Sequence, residues 1–595
     1  MLPEHIPVGD LFAKDCTYSV PLFQRPYVWD KERWEPLWED VSRVADEALS
    51  GTDTVRPHFL GSVVLQQRLG GIKQGPRREV IDGQQRLTTL QLLLKAAADA
   101  MAENEATEDA ARPLRALLAN QFPPKGDPEA AYKVWPTNVD RPGFRIVMDG
   151  GVAVGRIAEA YAYFRGMAAE WLNDGIGSDA LANRADALSA TLRQRLWIIA
   201  LNLGEEDQAQ VIFETLNARG TPLLPADLVK NLLLRQAEAE GADTASLYAA
   251  HWQPFDEDPF WRIEIGRGHA ARARVDVFLQ HALQVTIHDD VAPANLYDDF
   301  RKHLDGKKPG LAPRPAAEYL GSLAKLAVSA RHLYVAEESD TDRARCTAAR
   351  LRAMDFQTAF PVVLDLYTRP GLAVADVAMA CIWLESFLVR RLVCGLNTRG
   401  YNKFSVSLLK AIAGQDPAAP ALRDRLLASE LESERWPTDA EFGEAWRNSP
   451  IYRTLRRDRL TMILRALEME LHDSDKTDPI TIPKTLHIEH IMPRAWQAHW
   501  PMPDDADTSA IERRNKLLDT IGNLTLLKAA LNQTLSNAPW TAMEGGMAKL
   551  DALKSHGLLR LNLMLSQASS WDETAIAGRT ETLLSHAIKI WPRPT

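Results

Sequence analysis

A long, mostly helical middle separates two regions whose sequences contain both strand-like and helical patterns. This division constrains the fold more than any other feature of the sequence. Helical periodicity dominates from about residue 236 to 475, with breaks at the Pro- and Gly-rich loops 305–315 and 413–421. On both sides of the middle, short strand-like runs alternate with helical ones. A chain of 595 residues is also too long for one core. We therefore expect a multidomain α+β protein with roughly two to four domains.

The region before the helical middle carries three strand patterns. FLGSVVLQQ (59–67), REVIDG (78–83) and LWIIALNLG (196–204) are rich in β-branched and apolar residues, as strands are. After the second strand, a helical pattern places four apolar residues on one face: Leu87, Leu90, Leu94 and Met101. After the third, acidic residues that suit a helix dipole mark the first turn of a further helix: Glu205, Glu206 and Asp207. A mixed α/β domain is predicted for residues 1–235.

Charge, cysteine content and hydropathy exclude several classes of protein. The net charge of −10 argues against a basic DNA-coating protein, although a local basic cleft is compatible with it. The four cysteines form no CxxC pair, which argues against a zinc finger or a disulfide framework and fits a reducing compartment. The N-terminal sequence lacks a secretory signal pattern. No run approaches the ~18–20 apolar residues of a membrane span. We expect a cytoplasmic protein with no membrane association.

Histidine, acidic and amide residues concentrate in two C-terminal segments, HIEHIMPR (487–494) and GNLTLL (522–527), the second followed by Asn532. Phosphodiester hydrolysis needs a base for water, a cation for the leaving oxygen and a group that holds the base. A strand, loop, strand and helix supply these compactly. The histidine ends the first strand, and the helix after the second strand brings a metal ligand beneath it.

These segments resemble the core of HNH (His-Me finger) nucleases, and more closely the C-terminal domain of GmrSD-type restriction enzymes. The resemblance implies that His490 is the general base and that Glu489 and Asn532 are metal ligands. It assigns Asn523 to the catalytic core as the asparagine that pins the loop between the strands. Oxygen ligands from glutamate and asparagine favour Mg²⁺ or Mn²⁺ over zinc.

Other polar residues near these segments have open roles. His487 either supports the site or is an ordinary strand histidine, whereas His499 and Trp500 are expected to pack. Four basic residues resemble the helical lead-in of the same family domain and either contact phosphates or stabilise carbonyl groups at a helix end: Arg390, Arg391, Arg399 and Lys403. A second basic run is expected to be a solvated face: Arg453, Arg456, Arg457 and Arg459.

Three N-terminal segments form a second constellation: PLFQRPYVW (21–29), VIDGQQRLTTL (80–90) and FETLNARGTPL (213–223). In the second, a strand, an Asp-Gly pair and a helix place a carboxylate beside a helix N-terminus. Such a geometry holds a metal-bound phosphate, with backbone N–H groups and Arg86 as counter-charge. The chain has no Walker A sequence, so a P-loop NTPase is excluded.

The three segments resemble the N-terminal domain of the GmrS family, whose fold is similar to ParB and sulfiredoxin, over roughly residues 8–235. The resemblance implies binding and hydrolysis of a nucleoside triphosphate, without choosing among GTP, ATP and UTP. Asp82 and Arg86 would be its catalytic residues. The nucleotide site implied is Gln24, Arg25, Asp82, Gly83, Gln84, Gln85, Arg86, Asn217 and Arg219. Nearby aromatic residues either fill the core or line a pocket for a modified base: Tyr27, Trp29, Trp34 and Trp38.

The sequence thus predicts a ParB/sulfiredoxin-like sensor domain (1–235), a helical bridge (236–370) and a C-terminal domain (371–595) with its nuclease core at 480–545. The function implied is an NTP-regulated, metal-dependent endonuclease that cuts modified double-stranded phage DNA. GmrSD-type enzymes act on sugar-modified cytosine and the related SspE responds to phosphorothioate DNA; a homodimer stays open. The alternative is a nucleotide-sensing regulatory or toxin-like protein that binds DNA without cutting. The Glu489–His490 pair with Asn532 favours the enzyme.

Overall fold

The computed structural model describes residues 2–594 apart from 22–23, 25, 51–55, 69–75, 175–177, 205–224, 267–270, 307–313, 475–481, 484, 503–506, 536, 542–547 and 557–558. The chain forms two compact units, residues 1–274 with 315–320 and residues 275–314 with 321–595. The α+β class is confirmed, since a mixed sheet in the first unit is combined with helices throughout. Among the described residues, no helix is both long and apolar enough to cross a membrane.

A six-stranded mixed sheet organises the first unit. Its strand order is β1-β6-β3-β4-β2-β5, and the strands are β1 (Leu2–Pro7), β2 (Thr17–Ser19), β3 (His58–Arg68), β4 (Arg77–Asp82), β5 (Val134–Trp135) and β6 (Leu196–Leu203). The β1–β6 and β3–β4 pairs are antiparallel, and the other three pairs are parallel. The three predicted strands are confirmed as β3, β4 and β6. The strands that sequence analysis missed are short or contain proline, so they lack an alternating pattern.

Helices cover one face of this sheet: Val8–Ala13, Lys31–Leu49, Gln84–Met101, Glu108–Arg115, Arg141–Met148, Arg156–Asn173 and Ser178–Ala190. The central one is Gln84–Met101, which packs against Glu108–Arg115 and Arg156–Asn173. Its four predicted core residues are buried, as expected. Of the alternatives for the nearby aromatic residues, the core is the correct one, because Tyr27, Trp34 and Trp38 are buried in it and Trp29 packs against it.

The middle of the chain is helical, as predicted. Its first part contains the helices Pro225–Ala239, Thr244–Leu247, Gln253–Glu257 and Pro259–Arg262 and an unpredicted two-stranded pair, β7 (Glu264–Ile265) and β8 (Arg272–Ala273). The helix predicted from Glu205 and most of the predicted loop 305–315 lie outside the described residues. The predicted loop 413–421 is too long, because a helix resumes at Ala418.

In its described residues, the second unit consists of helices and one small hairpin. The hairpin pairs β9 (His487–His490) with β10 (Leu524–Leu527) in antiparallel register. From Arg274 onward, the helices of the chain are Arg274–Ile287, Leu296–Leu304, Ala316–Tyr334, Arg343–Met354, Phe360–Thr368, Val374–Val393, Tyr401–Ile412, Ala418–Leu427, Asp439–Asn448, Ile451–Thr454, Arg457–Ser474, Thr508–Leu517, Ala529–Leu535, Lys549–His556, Arg560–Ser566 and Glu573–Ile590, of which the first and the third begin in residues of the first unit. The predicted order of strand, strand and helix is therefore present, with the first strand shorter than its pattern suggested.

A buried charge network holds the helices of this unit together. Glu385 is fully buried, and its carboxylate accepts hydrogen bonds from Arg343, Arg350, Thr347 and Trp591 Nε1. Burying an unpaired carboxylate costs far more than burying one whose oxygens are fully bonded. The network thus connects helices that are distant in sequence to the C-terminal end of the last helix.

Arg390 and Arg391 lie next to this network and are also buried, so they do not contact phosphates. Arg390 donates to the carbonyl oxygen of Trp591, and Arg391 donates to those of Asn397 and Arg435. The two arginines do bind carbonyl groups, but the acceptors lie outside their own helix, so the prediction that they stabilise the carbonyls at that helix end is not met as stated.

Replacement of Glu385 by alanine should destabilise the second unit strongly. The change leaves Arg343 and Arg350 without their shared carboxylate, and removing one partner of a buried ion pair costs about 3–5 kcal/mol. Urea or thermal unfolding measures the loss. Glu581→Ala is the matched control, because Glu581 pairs with Arg447 at the surface and exposed pairs contribute little. Equal melting curves for the two variants would contradict the importance of the network.

Candidate functional site

His490 ends β9 and lies in a mostly buried position. Its Nε2 is 3.0 Å from Oδ1 of Asp519, and the edge of its ring meets Tyr452 with ring centres 4.2 Å apart. Burial lowers the pKa of His490 to about 4, even though Asp519 acts in the opposite direction. The imidazole is therefore neutral at neutral pH. An ionised carboxylate only accepts hydrogen bonds, so Nε2 carries the proton and Nδ1 carries the lone pair.

Asp519 is the buried carboxylate that sets this tautomer. Besides His490, it accepts hydrogen bonds from Nε and Nη2 of Arg494, at 3.1 and 2.7 Å, and from Nε of Arg453. Burial alone would raise the pKa of Asp519, but the hydrogen bonds it accepts outweigh burial and lower that pKa. Sequence analysis missed Asp519, because an aspartate in a loop carries no signal of its own until the loop's path is known.

Asn523 joins the two ends of the loop between the strands. Its Nδ2 donates to the carbonyl oxygens of Met492 and Leu518, both at 2.9 Å. Its Oδ1 accepts from the backbone N–H of Met492 at 2.8 Å and from Nε1 of Trp571 at 3.2 Å. The side chain is fully buried. Asn523 thus acts on the site by positioning the backbone that carries His490, not by touching a substrate.

Glu489 has a cation as its partner. Nζ of Lys549 lies 2.7 Å from Oε1 of Glu489 and 2.7 Å from the carbonyl oxygen of His490. Lys549 is buried at the start of its helix. Burial raises the pKa of Glu489 and lowers that of Lys549, while the attraction between the two groups opposes both shifts. Sequence analysis did not single out Lys549, which lies far along the chain from the motif.

The oxygens around Lys549 are of the type that hard divalent ions prefer. A carboxylate and a backbone carbonyl are usual ligands of Mg²⁺ and Mn²⁺, so the chemistry of Glu489 and its surroundings fits such an ion. Asn532 lies in the helix Ala529–Leu535, which packs against β9, but its side chain is outside the description. Within the described part of the chain, no three His, Cys, Asp or Glu residues form a metal cluster. A divalent ion at Glu489 would have to share oxygens with Lys549 or displace it.

The remaining C-terminal candidates lie apart from this cluster. His487 is exposed at the first position of β9, paired with Leu527 on β10. Trp500 is buried, as predicted, but the prediction that His499 packs is wrong, since its side chain is exposed. The basic run from Arg453 to Arg459, predicted to be a solvated face, is only partly free of contacts with other side chains. Arg453 reaches Asp519, and Arg457 lies over the ring of Tyr452 at 3.4 Å.

In the first unit, Asp82 ends β4 and Gly83 makes the turn into the helix Gln84–Met101. Gly83 has φ of +93°, and a Cβ there would come within 2.7 Å of Val63, so only glycine fits this turn. Arg86 lies on the first helical turn and donates to the carbonyl oxygen of Ser62 at 2.7 Å. Burial lowers the pKa of Arg86, while the nearby Asp82 raises it.

Gln24 and Gln85 are used inside the fold. Nε2 of Gln24 donates to the carbonyl oxygens of Val80 and Ile81. Oε1 of Gln85 accepts from two backbone N–H groups of the segment 26–29, and its Nε2 donates to a carbonyl oxygen of the same segment. Both side chains are buried. The structure thus brings Gln24 close to the segment from Asp82 to Arg86. The two glutamines bind backbone groups of neighbouring segments.

The third predicted segment cannot be added to this cluster. Asn217 and Arg219, like Arg25, lie outside the described residues. The continuation of that segment is described, and Lys230 is buried there, with Nζ at 2.9 Å from Oδ2 of Asp256. Lys230 therefore takes part in a buried ion pair within the first unit.

Comparison with known proteins gives a family for the two regions that contain these residues. The model of the GmrSD restriction endonuclease N-terminal domain matches residues 8–234, and that of the GmrSD restriction endonucleases C-terminal domain matches residues 436–586. The chain belongs to the GmrSD restriction endonuclease family. The predicted resemblance is thereby confirmed at the level of the family, and membership implies a nuclease whose partner is DNA. No curated protein matches the chain at a significant level.

Proposed function

We propose that this GmrSD-family chain is a metal-dependent endonuclease of the HNH type, which cuts modified DNA under the control of a nucleotide bound by its first unit. The observation that carries the proposal is the hydrogen bond between Nε2 of His490 and Asp519, with the acidic Glu489 directly before His490 in the chain. The C-terminal family match includes all three residues.

In the proposed reaction, Nδ1 of His490 takes a proton from a water molecule as that water attacks the phosphorus atom. The bond from phosphorus to the leaving oxygen then breaks. Asp519 keeps the imidazole in the tautomer that exposes a lone pair and favours the imidazolium that forms. A divalent ion held by Glu489 and Asn532 would supply positive charge for the leaving oxygen.

His490→Ala should lower the rate of DNA cleavage by about 10²–10⁴-fold, because general-base catalysis contributes that much. The measurement is a cleavage panel of unmodified, glucosyl-hydroxymethylcytosine and phosphorothioate DNA, each with and without nucleoside triphosphate and Mg²⁺. His487→Ala is the matched control on the same strand and should cut at the wild-type rate. A folded His490→Ala protein that cuts at full rate would refute the proposal. DNA binding without cleavage in every arm of the wild type would favour the regulatory alternative.

If a metal ion binds at Glu489 as proposed, the charge of Lys549 should weaken the binding of that ion. Because the ammonium group occupies oxygens that the metal needs, Lys549→Met should lower the Kd for Mn²⁺ by about tenfold or more, given that two like charges about 4 Å apart repel by several kcal/mol near a protein surface. Calorimetric titration of Mn²⁺ measures this without any cleavage. Lys554→Met, on the exposed face of the same helix, is the control. Weaker Mn²⁺ binding by Lys549→Met would mean that Lys549 holds Glu489 in place for the metal instead.

For the first unit, we propose that Asp82, Gly83, Gln84 and Arg86 form the nucleotide site. Support comes from the tight turn at Gly83, which leaves Asp82 beside the N-terminus of an 18-residue helix, where backbone N–H groups and the helix dipole attract phosphate. Nucleotide bound there can control DNA cleavage only if it favours one of two conformations of the enzyme.

Asp82→Ala should therefore abolish hydrolysis of the nucleoside triphosphate and also change the rate at which cognate DNA is cut. Both activities are measured on one preparation, with folding checked by thermal melting. Asp109→Ala, which changes an exposed side chain in the same unit, should change neither. If Asp82→Ala loses hydrolysis but cuts at the wild-type rate at every nucleotide concentration, the two sites are not coupled.

A further inference from the structure

Two exposed arginines converge on the buried carboxylate beside His490. The side chains of Arg453 and Arg494 are 67% and 48% exposed, whereas that of Asp519 is 3% exposed. Ordinary surface ion pairs have both partners in water and hold neither in place. Here the acceptor is fixed inside the protein by its bond to His490, so the two guanidinium groups are held at a defined place next to the imidazole.

The arrangement leaves hydrogen-bond donors directed away from Asp519. Arg453 uses only Nε, and Arg494 uses Nε and Nη2. In the part of the chain that the structure describes, no acceptor is bonded to the two terminal nitrogens of Arg453 or to Nη1 of Arg494. Two guanidinium groups also face a single carboxylate, so these three side chains together carry a surplus of positive charge.

Tyr452 contacts the same cluster through its ring and its backbone. The guanidinium of Arg494 lies 4.8 Å from the centre of its ring, and that of Arg457 lies 3.4 Å from it. The backbone N–H of Tyr452 donates to the carbonyl oxygen of Asp519 at 3.1 Å. The tyrosine thereby fixes the segment that carries Arg453 to the loop that carries Asp519.

We propose that Arg453 and Arg494 bind the DNA phosphates at and beside the bond that His490 hydrolyses, and that Asp519 positions all three side chains at once. The planar, permanently charged guanidinium matches the oxygens of a phosphodiester and binds them through paired hydrogen bonds. The inference rests on the proposed nuclease function for the identity of the bond, but the binding of phosphate by the two arginines can be tested without cleavage.

Arg456 provides a matched comparison within the same basic run. It is exposed like Arg453, but its guanidinium pairs with Asp355 and Asp458 and makes no contact with Asp519. If positive charge on this surface were all that mattered, Arg456 would contribute to DNA binding as Arg453 does. If the geometry at Asp519 matters, only Arg453 and Arg494 contribute.

The binding test uses the full-length protein with His490 intact and with EDTA present, so that DNA is not cut, and measures the Kd for a fluorescent duplex at several salt concentrations. Each phosphate contact contributes about 0.9 to the slope of log K against log salt concentration. Arg453→Gln and Arg494→Gln should each reduce the slope by about 0.9, whereas Arg456→Gln should leave it unchanged. Equal slopes for all three variants, or a loss in Arg456→Gln as large as in the other two, would overturn the proposal.

The positioning role of Asp519 is tested by Asp519→Asn in the otherwise wild-type protein. The amide can no longer hold Nε2–H of His490 as a carboxylate does, so kcat for cleavage should fall by about 10²-fold or more. The Kd for DNA should stay the same or decrease, because a negative charge beside the arginines is gone. A parallel loss of kcat, DNA affinity and melting temperature would show a merely structural role and overturn the assignment.

The two sets of results separate this inference from the proposed function. Reduced salt slopes in the two arginine variants, together with a wild-type protein that cuts no DNA when Mg²⁺ is supplied, would support the phosphate site and refute the nuclease proposal. Cleavage that depends on His490, together with unchanged salt slopes in both arginine variants, would support the nuclease proposal and refute the phosphate site.

Discussion

The carboxylate of Asp519 is the contact on which the candidate active site depends. It joins three parts of the second unit that are far apart in the sequence: the segment of Tyr452 and Arg453, the end of β9, and the loop that leads into β10. A carboxylate can serve several donors at once because its two oxygens offer about four acceptor positions. Without it, His490 would be a buried imidazole with no defined tautomer, and the arginines would be ordinary solvated side chains.

The backbone around this contact is fixed by a second set of buried groups. Arg579 donates to the carbonyl oxygens of Gly522 and Leu524, on both sides of Asn523. Burial lowers the pKa of Arg579 to about 9, so it is still charged at neutral pH. Gly522 lies so close to the helix Glu573–Ile590 that a Cβ would come within 2.5 Å of the carbonyl oxygen of Ile576. In GNLTLL, the glycine is therefore required by close packing against this helix, and the asparagine by the backbone hydrogen bonds that it makes.

This explains which parts of the site could be predicted from the sequence. Gly83 in its turn and Asn523 in GNLTLL belong to short sequence patterns that can be recognised, although Asn523 acts on Met492 from 31 residues away. Asp519 and Lys549 act on β9 from 29 and 60 residues away, and no local pattern specifies such a pairing. The same limit applies to Arg390 and Arg391, whose basic character suggested phosphate binding although tertiary packing buries both against carbonyl groups. Long, strongly periodic elements, by contrast, were predicted well because the spacing of their apolar residues can be read within a short window of the sequence.

In both motif-rich regions, an amide side chain binds backbone groups of another segment. In DGQQR, Gln85 holds the segment 26–29, and in GNLTLL, Asn523 holds the loop after β9. In both cases an amide side chain uses its donor and its acceptor together to hold backbone groups, near a residue to which we assign chemistry, Arg86 or His490. A motif of this kind therefore combines residues that touch the substrate with residues that fix the backbone carrying them. Loss of activity after mutation cannot by itself tell these two kinds apart, since both abolish the geometry on which catalysis depends. Separate measurements of affinity, catalytic rate and stability can, because a positioning residue changes the rate without changing the binding of the substrate's phosphates.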